Sequence, residues 1–146
     1  MHALANLVRA ASICGIGLVL AGCSATRPPG PPGSLAATPC PKEKCDLEIT
    51  IVGDCKKEGA IFVKPEYMSV SDQDNIMRWR IVTAGYEFDQ RTGIDFSFFA
   101  PFQRLGSSDP TVFRVLNKND EGTSDHKYDV NIKGCKRFDP WVRNTR

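Results

Sequence analysis

The chain reads as an all-β protein, an antiparallel β-sandwich of about seven strands stabilised by disulfides. Three observations predict this. Apolar and polar residues alternate with a period of two in run after run between residues 46 and 142, and no stretch carries a helical stripe. Clusters of turn-forming residues separate the runs. Cys40, Cys45, Cys55 and Cys135 form an even set in and beside this region, as expected for an oxidised, exported domain.

The elements follow in order. Leu47, Ile49 and Ile51 alternate with Glu48 and Thr50, giving a strand over 46–52 with one dry and one wet face. Residues 60–63 and Tyr67–Val70 are shorter candidates. Met77, Trp79 and Ile81 alternate with Arg78 and Arg80, and Phe96 and Phe98 alternate with Asp95 and Ser97. Phe113 and Val115 flank Arg114. Tyr128, Val130 and Ile132 alternate with Lys127, Asp129, Asn131 and Lys133, and 141–142 is a last short candidate. The turns are Gly53 with Asp54, then 71–75, 106–110 and 117–125. This rhythm resembles immunoglobulin-like and cupredoxin-like sandwiches. Trp79 in MRWRI looks like a buried mid-strand tryptophan. Tyr128 in DHKYDVNI sits as a tyrosine-corner residue does, and Val130 stands where an antibody domain would have cysteine.

Residues 1–22 are an address and not part of the fold. Arg9 precedes an uncharged apolar run over 10–21, about half of the roughly 20 residues a spanning helix needs. The run ends in Leu20-Ala21-Gly22-Cys23. LAGC resembles the lipobox of bacterial lipoproteins. The resemblance implies cleavage before Cys23, a diacylglyceryl group on its sulfur and acylation of its new amine. Ser24 in place of Asp implies the outer membrane, with the domain in the periplasm. The whole chain also resembles small envelope lipoproteins, a resemblance that carries no activity. Residues 23–41 are then the lipidated cysteine and a linker. Six of the ten prolines fall in 24–41, so this stretch is expected to be extended, on the order of 50 Å long at about 3.1 Å per residue. It reads as a spacer rather than as a ligand for a proline-binding module. Residues 42–146 are the sandwich domain.

Spacing narrows the disulfide pairing. A strand over 46–52 separates its ends by roughly 20 Å, so Cys45 cannot reach Cys55 within the roughly 7 Å Cα limit. Two pairings remain: 40–45 with 55–135, or 40–55 with 45–135. CPKEKC is a short turn-like segment that closes easily, which favours the first. Joining Cys55 to Cys135 then implies first and last strands that lie parallel.

The residues exclude more chemistry than they indicate. With 19 Lys and Arg against 17 Asp and Glu, the net charge of +2 gives no electrostatic pull toward nucleic acid. A blue-copper site needs two histidines and a thiolate, whereas only His126 remains once the leader is cut. The cysteines lack the close pairs of a zinc site. Asp120, Glu121, Asp125 and Asp129 do not match an EF-hand loop. Thr50 to Gly53 and Thr92-Gly93 are not phosphate loops. His126 beside Asp125, with Ser124 or Ser107 as a nucleophile, lacks any positioning motif and reads as a solvated loop histidine. Arg78 and Arg80 form a mild anion-facing strip or simply a solvated sheet face. The segment GIDFSFFAPF carries four phenylalanines, and Phe99 and Phe102 are the candidate contact for a partner protein.

The expectation is therefore a non-catalytic, cofactor-free binding or assembly module. It is anchored to the membrane through Cys23 and contacts another envelope protein. A small-ligand carrier, for a glycan or a metal ion, is the alternative. An enzyme would require Ser124, His126 and Asp125 or Asp129 to converge in one cleft.

Overall fold

Strict alternation over 44–51 produces β2 (Lys44–Ile51), whose odd-numbered side chains Cys45, Leu47, Ile49 and Ile51 are buried while the even-numbered ones face water. The same logic gives β5 (Asn75–Ile81), β8 (Val112–Asn117) and β9 (Ser124–Val130). The structure is a computed structural model that describes residues 36–41, 44–96 and 101–145. The expected leader 1–22, Cys23, most of the spacer, and Phe98 and Phe99 lie outside the described residues. Within them the remaining strands are β1 (Thr38–Pro39), β3 (Ile61–Lys64), β4 (Tyr67–Val70), β6 (Ile94–Phe96), β7 (Phe102–Leu105) and β10 (Trp141–Asn144), and no helix is present.

Two five-stranded sheets result, ordered β1-β4-β10-β9-β6 and β3-β2-β5-β8-β7. The all-β class, the two layers and the disulfides are as the sequence predicts. Among the described residues the strands number ten rather than about seven, and the sheets are mixed rather than antiparallel. β4 runs parallel to β1 and to β10, and β2 runs parallel to β5. Period-two alternation sets which side chains face inward, but it is the same for either direction of the neighbour. β1 also shows that pairing reaches back into the expected spacer, to Thr38 and Pro39.

The sheets stack through an aromatic core. Trp79 and Tyr128 are fully buried, and the indole Nε1 of Trp79 donates to Tyr128 Oη at 3.2 Å across the interface. Tyr128 thus spends its hydroxyl on the opposite sheet rather than on a nearby backbone corner. Phe96 stacks on Phe102 with ring centroids 3.7 Å apart, and Phe88 meets Phe113 edge-on. Fully burying a side chain of this kind contributes about 1.5–3 kcal/mol.

Phe102 corrects an expectation. It is 6% exposed, on β7 in the core, and so offers no surface to a partner. β7 escapes the alternation rule because Arg104 sits at an inward-parity position (Arg104 is in register with Val115). On an edge strand its guanidinium can lie over the Phe113 ring, 5.6 Å from the centroid.

The disulfides are Cys40–Cys45 and Cys55–Cys135, with Cα separations of 5.3 and 4.9 Å. β2 precedes Cys55 and β9 precedes Cys135, but these strands belong to different sheets. The bridge therefore spans the sandwich, and the expected parallel pairing of first and last strands does not occur.

Candidate functional site

The structure places His126 and Ser124 on β9, not in a solvated loop, and brings them together. Both have inward parity, and Ser124 Oγ lies 2.7 Å from His126 Nε2. Asn144 Nδ2 is 3.4 Å from the same nitrogen, and Asn117 Nδ2 donates to Asn144 Oδ1 at 2.7 Å. Asn119 N donates to Asn117 Oδ1 at 3.1 Å, and its Nδ2 donates to the carbonyls of Val70 and Thr145. With the ring proton assigned to Nδ1, the one lone pair of Nε2 accepts from Ser124 Oγ, and Asn144 Nδ2 lies at the margin of bonding distance. Burial pushes the His126 pKa below the ordinary imidazole value, against the opposing pull of the Glu121 and Asp125 carboxylates. Phe102 packs edge-on against the ring. This arrangement is a polar seam joining the two sheets: Asn117 comes from β8, and His126 and Asn144 come from β9 and β10.

Asp125 and Asp129 do not join that seam, because strand parity turns them to the opposite side. On the outer face of the first sheet, Asp125 accepts from Tyr67 Oη at 2.7 Å and from Arg143 Nε and Nη2 at 2.7 and 3.0 Å. Burial and the Asp125 hydrogen bond push the Tyr67 pKa up to about 12. Asp129 takes Arg137 at 3.1 Å, and Lys127 pairs with Asp139. Asp95 lies directly opposite Asp129 in register. Burial raises the Asp129 pKa; Arg137 opposes the rise, and Asp139 and Asp95 add to it. Among the described residues no group of three or more His, Cys, Asp or Glu is placed to hold a metal ion.

The outer face of the second sheet is different. Strand registers lay its outward residues in rows. Lys44 stands beside Ile76 and Leu116. Asp46, Arg78 and Arg114 form the next row, then Lys64, Glu48, Arg80 and Val112. A shallow cleft of about 520 Å³ opens here, lined by Lys44, Arg78, Arg80 and Arg114, with Ser107 and Asp109 on the loop beside it. Asp46 grips Arg78 with both carboxylate oxygens, at 2.7 and 2.9 Å, and reaches Lys44 at 3.8 Å. Asp109 is committed to its own loop. It accepts from Thr111 N at 2.9 Å and Thr111 Oγ1 at 2.7 Å, bonds that hold its pKa below the ordinary carboxylate value, with a smaller pull from the nearby Arg80 charge. Arg80 and Arg114 make no side-chain hydrogen bond or ion pair among the described residues. Arg78 and Arg114 are nevertheless direct cross-strand neighbours, an arrangement that like charges disfavour.

Further along the same face the rows turn apolar. Phe62 is paired with Thr50, and it is exposed at 53%, with Val52 at 60% and Val82 at 49%. Phe62 lies on β3, the outer strand of the sheet. Sequence reasoning found Arg78 and Arg80 but missed Lys44, Arg114 and this apolar end. The missing information was strand partnership, since Arg114 is outward by the same alternation that was read for Phe113 and Val115. No known family model matches the chain, and no curated protein matches it in sequence.

Proposed function

We propose that the protein is a lipid-anchored component of the bacterial envelope. Cys23 holds it on the outer membrane with the sandwich in the periplasm, where it acts as a non-catalytic binding or assembly module that contacts another envelope protein. The LAGC sequence supports the anchor. One structural observation supports the contact: three large apolar side chains, Val52, Phe62 and Val82, stand exposed together at the edge-strand end of this sheet face. The contact surface is thereby moved from Phe102, which is core, to this end of the second sheet. A photo-crosslinking residue at position 62, tested in cells, should trap a discrete protein adduct, and the same residue at Lys127 on the first sheet should not. No adduct from 52, 62 or 82, or an equal one from 127, rejects the contact. A mass spectrum showing unmodified Cys23 rejects the anchor.

A further inference from the structure

We propose that the cleft lined by Lys44, Arg78, Arg80 and Arg114 is a binding site for a phosphoryl oxyanion. This goes beyond protein contact at Phe62, because it concerns the opposite end of the face and a different chemistry. Four cations line the cleft, with Asp109 the only carboxylate among its lining residues, and that acid is engaged by Thr111. Asp46 pairs with Arg78 from the β2 side, whereas Arg80 and Arg114 form no ion pair among the described residues; Glu48 stands beside Arg80 in register, and Asp109 feels its charge, but neither carboxylate is bonded to it. Asp46 supplies one negative charge to the row it shares with Arg78 and Arg114, so that row keeps a surplus of positive charge for an anion to meet.

The identity of the anion follows from geometry. A carboxylate is saturated by one or two guanidinium forks, as Asp46 on Arg78 already illustrates. Here Arg78, Arg80 and Arg114 come from adjacent rows of two strands. A tetrahedral dianion with several oxygens can accept from more than one fork at once. Lys44, a compact charge at the first row, suits a second phosphoryl unit or its ester oxygen. The outer face of the first sheet has no such surplus, since Arg143, Lys127 and Arg137 each have an aspartate.

The test uses the full processed chain with its disulfides intact, and backbone amide shifts along β5 and β8 as the readout. Inorganic pyrophosphate probes a free phosphoryl ligand. Phosphatidylcholine bicelles with and without phosphatidylglycerol probe a lipid headgroup. Saturable shifts around Arg80 and Arg114 with pyrophosphate identify a soluble source, and shifts only with phosphatidylglycerol identify a headgroup. In either case Arg80→Gln with Arg114→Gln should weaken binding at least tenfold, and Arg137→Gln on the other face should leave it unchanged. Arg80 and Arg114 are both on the outward side of their strands, and the amide spectrum and melting temperature verify folding. Saturable shifts in neither arm, an unaltered affinity in the double variant, or an equal loss with Arg137→Gln overturns the proposal. Because the readout is independent of crosslinking at position 62, the two readings fail separately.

Discussion

The outer faces of the two sheets are built by the same alternation and end in different electrostatic states. On the first sheet, charge is matched within the chain: Arg143 to Asp125, Lys127 to Asp139, Arg137 to Asp129. On the second, Asp46 grips Arg78, while Arg80 and Arg114 form no ion pair among the described residues, with Glu48 only beside Arg80 in register. Surface ion pairs contribute little each. The matched face is therefore not much more stable for its pairs, but its cations are already occupied. The other face keeps two guanidinium groups, on Arg80 and Arg114, that are bonded to no side chain among the described residues.

The comparison can be broken most forcefully at the link between the layers. Cys55→Ser with Cys135→Ser opens a loop of sequence separation 80. In the chain-entropy model this costs about 4–5 kcal/mol, read as a lower denaturant midpoint, and both faces should lose order together. If one sheet survives alone, the sheets are not one cooperative unit. On the matched face, Asp125→Asn removes the negative charge and one of the two acceptor oxygens that serve Arg143 and Tyr67 and should cost about 1 kcal/mol after allowance for solvent screening. It should also bring the Tyr67 pKa down from its raised value toward 10, visible in an ultraviolet titration. On the unmatched face the sign reverses. Arg114→Thr relieves a like-charge cross-strand pair and should stabilise the ligand-free protein by about 0.2–1 kcal/mol in thermal melts. A destabilised Arg114→Thr would show that this arginine is already satisfied.

The weakest effect belongs to the seam between the faces. His126 is held neutral, its folded pKa below the ordinary 6.5. The unfolded chain then binds more protons just below that pH. This contribution to stability is complete above about pH 6.5 and is lost as pH falls toward the folded pKa. Replacing His126 by Asn should flatten the stability profile in that window only.

How far these features can be read from sequence depends on whether they are local. Leu47, Trp79, Phe113 and Tyr128 announce their inward direction through their own neighbours, and all four are buried. The favoured disulfide pairing follows from a strand's length and a short turn. β7 hides because Arg104 breaks the pattern at an edge, and β1 hides because Thr38 and Pro39 sit in a proline-rich run. Parallel partnerships leave no trace in alternation. The arginine cleft is half legible for that reason. Arg78 and Arg80 share a strand, but Lys44 and Arg114 join them only once β2 and β8 are seen to flank β5. Ser124 and His126 read as loop residues because nothing local shows that β9 extends to them.

The Cys40–Cys45 bond has a mechanical consequence. It ties the end of β1, at the margin of the first sheet, to β2, which is flanked on both sides in the second. A pull arriving along the chain ahead of residue 38 would be passed through covalent sulfur into the middle of the opposite layer. The two residues of β1 ahead of the bond take the load first; at Cys40 the peeling stops and the force is handed to β2.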